Sequence, residues 1–89
     1  MLQLPSTLTH PQATACLNTL VQALSSQPSE AVLDASALRQ FDSSALAVVI
    51  ELRRVCKRTG KSLVVQGLPP SMVELATLYG VESLVGQRL

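Results

Sequence analysis

The amino-acid sequence predicts a small α/β domain, and three observations carry that reading. Two short aliphatic runs, Ala31-Val32-Leu33 and Leu63-Val64-Val65, have the length of buried strands rather than of helices. Segments with helical apolar spacing lie between them and ahead of them. Strand alternates with helix along the chain, an order that builds a sheet through helical crossovers. With 89 residues there is room for one core, so residues 1–89 are read as a single domain with a short β-sheet packed by three to four helices.

The elements follow in order. Leu2, Leu4 and Leu8 share one parity and predict a short opening strand with a half-buried face. Pro5 has no N–H to give a ladder, which places that strand at a sheet edge or on a bulge. Thr9-His10-Pro11-Gln12 reads as a capping box with Pro in the first turn. Ala13, Cys16, Leu17, Leu20, Val21 and Leu24 then mark one face of a helix ending near Ser25, and the loop Ser25 to Ser29 follows. Ala31-Val32-Leu33 runs as a strand into Asp34. Residues 35–41 are a connection, with Phe41 expected to plug the core. A second helix runs from Ser43 to about Thr59 and stops at Gly60, and Leu63-Val64-Val65 is the next strand. Leu68-Pro69-Pro70 opens a third helix with an inward stripe of Met72, Leu75, Ala76 and Tyr79, capped by Gly80. The tail Val81 to Leu89 is expected to add a little more structure.

Composition narrows the function. A net charge of +1, with one Tyr, one Phe and no Trp, supplies neither the basic footprint nor the stacking rings of a nucleic-acid binder. The longest wholly apolar run, Ala45 to Ile50, is far shorter than the roughly 20 residues of a membrane span. Residues 1–5 lack the basic and apolar regions of a signal peptide, so a cytoplasmic protein is expected. Cys16 and Cys56 each fall on an apolar helical face and are read as buried small hydrophobes in a reduced protein. His10, the only histidine, belongs to a helix start at the surface. Asp34 and Asp42 lie at one end of the sheet, but strand-end and cap roles explain them better than a cation does. No phosphate-binding glycine motif is present, so no enzyme chemistry, cofactor or metal is expected.

The most informative stretch is Asp42-Ser43-Ser44-Ala45-Leu46. Asp42 is a good N-cap, and the two serines occupy the first turn, where donors point outward and the dipole favours negative charge. A hydroxyl there can meet a partner protein or carry a phosphate; the plainer reading is a helix start and nothing more. At about 100° per residue, Ala45, Val49, Leu52 and Cys56 share the core side of this helix. Leu46 and Ile50 lie on a flank, with Arg53 between the two sides. Glu51, Arg54 and Arg58 occupy the opposite face around Ala47. Leu46 and Ile50 either bury against a neighbouring helix or form a docking surface beside the serines.

The combination of Ala31-Val32-Leu33-Asp34, Phe41-Asp42-Ser43-Ser44-Ala45-Leu46, Arg58-Thr59-Gly60-Lys61 and the last helix, in this order, resembles the STAS domain family. The resemblance covers the chain from Leu2-Gln3-Leu4 to Leu84. Anti-sigma factor antagonists of that family read Asp-Ser-Ser-Gly-Leu-Gly at the helix start, with a phosphorylated serine matching Ser44. Here Ala45 and Ala47 replace the glycines. The ending Leu75-Ala76-Thr77-Leu78-Tyr79-Gly80-Val81-Glu82-Ser83-Leu84 is similar to that of the MlaB-like branch. In that branch the strand before Leu2-Gln3-Leu4 is usual; here it is missing or vestigial, leaving an edge that a partner or a second copy would cover.

That resemblance implies a non-catalytic subunit that binds the ATPase of a phospholipid-transporting ABC system, with its permease, and so sits peripherally at the inner membrane. The contact expected is Asp42, Ser43 and Ser44, with Leu46, Ala47 and Ile50 as its apolar part and Glu51, Arg54 and Arg58 at the rim. The alternative is an anti-sigma factor antagonist switched by a serine kinase at Ser44, with Ser43 the second candidate for modification. A ligand sensor using the helix start as an anion site is a third reading. Direct membrane insertion is not expected, and a homodimer is a further expectation for the exposed edge.

Overall fold

The computed structural model describes residues 2–80. Its elements are β1 (Leu2–Gln3), β2 (Thr7–Leu8), α1 (His10–Leu24), β3 (Glu30–Asp34), β4 (Gln40–Phe41), α2 (Ser43–Arg58), β5 (Ser62–Gln66) and α3 (Pro70–Leu78). β1, β3 and β5 form a parallel sheet in that order, with Leu2 opposite Leu33 and Leu33 opposite Val65. The α/β class follows directly, with each neighbouring strand pair joined by a helical crossover. α1 and α2 pack against one another, and α2 also contacts β5 and α3. The tail from Val81 to Leu89 lies outside the described residues, as do the last four residues of the similarity that runs to Leu84.

The helix boundaries have local causes. Gln12 Oε1 accepts from the Thr9 backbone N–H at 2.9 Å and from its hydroxyl at 2.7 Å, which fixes the start of α1. Asp42 caps α2, and Thr59 closes it with Gly60 at φ +76° behind. β3 and β5 alternate buried and half-buried or exposed residues, with Ala31, Leu33, Leu63 and Val65 facing inward. They meet Leu20 and Leu24 from α1, Ala45, Val49, Leu52 and Cys56 from α2, and Met72 and Ala76 from α3 in one core.

Four expectations are corrected. The opening strand is two strands: the chain breaks at Pro5-Ser6, and Thr7-Leu8 leaves the main sheet to pair in parallel with Gln40-Phe41. The Ser6 carbonyl holds that crossing by accepting from the N–H groups of Arg39 and Gln40 at 2.8 and 2.9 Å. Residues 40–41 therefore form a strand within what reads as a connection, and Phe41 is only half-buried against the core. Tyr79 does not belong to the inward stripe of α3. The helix ends at Leu78, so Tyr79 turns out as its C-cap and is 59% exposed. Cys16 is half-buried rather than buried, because it lies at the margin of the α1 stripe, whereas Cys56 is in the core.

Candidate functional site

The first turn of α2 is built by its cap. Asp42 has an extended backbone, and its Oδ1 accepts from the Ser44 N–H at 2.8 Å. Its Oδ2 accepts from the backbone N–H of His10, the first residue of α1, at 3.1 Å. The bond to Ser44 is the main cause that holds the Asp42 carboxyl below its ordinary range; desolvation opposes it, and the His10 N–H adds to the lowering. Asp34 is held down in the same way by the Ser36 N–H, which donates to its Oδ1 at 2.9 Å. Both carboxylates are thus engaged by backbone donors. Among the described residues no group of three His, Cys, Asp or Glu is placed to hold a metal ion.

The serines differ in exposure. Ser43 is exposed at the tip of α2, while Ser44 is half-buried with its N–H bonded to the cap. Beside them runs a groove of about 460 Å³. One wall is His10, Ala13, Thr14 and Leu17 of α1; the other is Ser44, Ala47, Val48, Ile50, Glu51 and Arg54 of α2. Ala47 and Arg54 are exposed, and Ile50 and Glu51 are half-buried. Glu51 reaches Arg54 at 3.6 Å and Arg58 at 3.8 Å, an exposed charged cluster at the outer rim that adds little stability.

Of the nine residues expected at the contact, Ser44, Ala47, Ile50, Glu51 and Arg54 line this groove, Asp42 and Ser43 stand at its end, and Arg58 lies a turn beyond, paired with Glu51. Leu46 does not belong with them. It is 2% exposed and joins the core, on a flank of α2 about 160° from Val48 and about 100° from Ala47. Ile50, one turn later, is less deeply placed and reaches the groove. Arg53, on the Leu46 flank, is half-buried and spans to the Leu63 carbonyl at 3.4 Å.

The α1 wall is absent from the sequence-based site. The capping box already places His10 at the start of a helix, but nothing local says that this start lies beside the start of α2. Ala13 and Leu17 read as core positions, and both are only half-buried.

Comparison with known proteins gives one family. The family model described as "Mlab, STAS domain" matches residues 1–86. No curated protein matches the chain.

Proposed function

The chain belongs to the MlaB-type STAS domain family, and from that premise we propose that it is a non-catalytic accessory subunit of an Mla-type ABC transport system. In this reading it binds the ATPase and stabilises or regulates it, in a transporter that moves phospholipid and maintains outer-membrane lipid asymmetry. The family match over residues 1–86 carries the proposal. The groove beside the α2 tip supports it, because it joins an apolar floor to hydroxyls and a charged rim. No helix among the described residues is long and apolar enough to cross a membrane, so the partner would supply the attachment.

Docking would seat a segment of the ATPase against Ser43, Ser44, Ala47 and Ile50, with Glu51, Arg54 and Arg58 around it. Each hydroxyl buried there needs a partner group, since an unsatisfied one costs about 1–3 kcal/mol. A subunit that prefers one ATPase conformation shifts the transporter toward that conformation by the difference in affinity.

The test is affinity purification of the tagged protein from its host, with Ser43→Trp beside the wild type. Ser43 is exposed, so the indole leaves the fold intact and obstructs the contact. The expected result is an ABC ATPase with its permease in the wild-type eluate and its loss from the variant. A Ser43→Trp protein that recovers the ATPase at normal yield places the contact elsewhere. Recovery of a kinase-like anti-sigma factor, with a phosphopeptide at Ser44, would replace the proposal with the switch reading. Ala45 and Ala47, in place of the two glycines of the antagonist motif, argue against that outcome.

A further inference from the structure

Building on the reading that the α1–α2 groove receives the partner, we infer that Asp42 is a positioning residue whose carboxylate ties the first turn of α1 to the first turn of α2 and so sets the spacing of the groove walls. The two bonds differ in what they require. Capping α2 takes one oxygen, supplied by Oδ1 to Ser44 at 2.8 Å. Serine, threonine or asparagine would serve that purpose equally well. The second oxygen reaches across 32 residues of sequence to the His10 N–H at 3.1 Å. A short side chain with a single acceptor cannot make both bonds.

The donors at the start of α1 explain why the second bond forms. The first helical N–H groups have no partner within their own helix. Pro11 has no N–H, and the Gln12 N–H donates to the Thr9 carbonyl at 3.0 Å. The Thr9 N–H and hydroxyl are both taken by Gln12 Oε1 in the capping box. His10 therefore carries the first-turn donor that must find an acceptor outside α1, and the cap of α2 supplies it. Two positive helix ends thus converge on one carboxylate, which is favourable for both. His10 and Ser44, the residues whose N–H groups it holds, both line the groove. The clamp is therefore at the mouth of the groove, where the partner would enter.

The test isolates each bond. His10→Pro deletes the donated N–H and is compatible with a first-turn position. His10→Ala keeps the N–H and measures the loss of the imidazole. Asp42→Ser keeps one accepting oxygen for Ser44 and gives up the reach to α1. Each protein is assayed for capture of the detergent-solubilised ATPase–permease complex. Thermal melts are recorded on the free proteins, and hydrogen exchange of the backbone amide at position 10 is followed by NMR wherever that amide is present.

The expected result is that His10→Pro binds at least about fivefold more weakly than His10→Ala, the lower end of ordinary coupling between sites. Asp42→Ser should bind more weakly to a similar extent and lose protection of the His10 amide. Combining His10→Pro with Asp42→Ser should add no further loss in capture, because both remove the same bond. Asp42→Ser or His10→Pro binding as tightly as its reference, with wild-type capture intact, overturns the positioning role and leaves the docking reading standing. So do additive losses in the double variant. Failure of the wild type to bind the ATPase overturns the docking reading and the positioning role with it.

Discussion

Leu46 and Ala47 are sequence neighbours about 100° apart around α2, one in the core and one exposed, and substituting each separates the core from the proposed contact surface. Leu46 is 2% exposed and part of the core. Truncating a buried leucine to alanine costs about 2–5 kcal/mol. In a domain of this size each kcal/mol lowers Tm by about 4–8 °C, so Leu46→Ala should melt roughly 10–40 °C below wild type. Ala47 is exposed. A lysine there keeps a good helix former and places a cation one turn before Glu51, so its stability should stay within about 0.5 kcal/mol of wild type.

At the contact the order reverses. An ammonium group left without an acceptor in the Ala47 position costs upward of about 1–3 kcal/mol, or roughly 5- to 150-fold in affinity. Thermal melts followed by quantitative capture of the ATPase on the same preparations check both halves. Leu46→Ala should unfold early but bind normally at low temperature, and Ala47→Lys should melt normally and bind poorly. A Leu46→Ala protein that melts like wild type but fails to bind would refute the burial argument. An Ala47→Lys protein that binds like wild type would refute the groove.

Two further predictions concern the ends of the strands. Gly67 and Gly60 have nearly the same positive φ, +75° and +76°, but a Cβ on Gly67 would meet Ser36 at 2.9–3.1 Å while one on Gly60 meets nothing within 4 Å. Gly60→Ala should therefore cost only the left-handed penalty of about 1–2 kcal/mol, and Gly67→Ala should cost more; equal urea midpoints would contradict the close approach. The lowered carboxyls of Asp34 and Asp42 stabilise the fold fully above their ordinary value of 3.8, and that contribution is lost as pH falls through the lowered values. Urea midpoints should be flat between about pH 5 and 7 and decline below about pH 4, less steeply in the Asp34→Asn/Asp42→Asn variant; an unchanged acid slope in that variant would remove these two groups from the account.

Much of the fold is legible where the signal is local. The limits of α2 follow from Asp42 and Gly60, and the start of α1 from Thr9 and Gln12, because caps are made by residues two or three positions apart. The two central strands are visible as aliphatic runs bounded by loop residues. The β2–β4 ladder is not, since two-residue strands carry no period and Ser6 marks the crossing only through backbone bonds. Leu46 and Ile50 share a flank and an apolar character, and only tertiary packing separates them. The groove is half legible: its α2 wall follows from the helix start, whereas its α1 wall depends on a contact between residues 32 apart.

That ladder has a consequence for assembly. Leu8 lies opposite Phe41, immediately before the starts of α1 and α2, so the two helices begin level with one another. The surface they share comes into existence only after β3 has been laid down and the chain has returned to the same level. A partner that recognises it would reject a half-made or truncated chain, so complex formation would double as an inspection of the finished fold. One extra residue in either lead-in would turn its helix by about 100° and lift it about 1.5 Å, scrambling the surface without removing a single side chain from it.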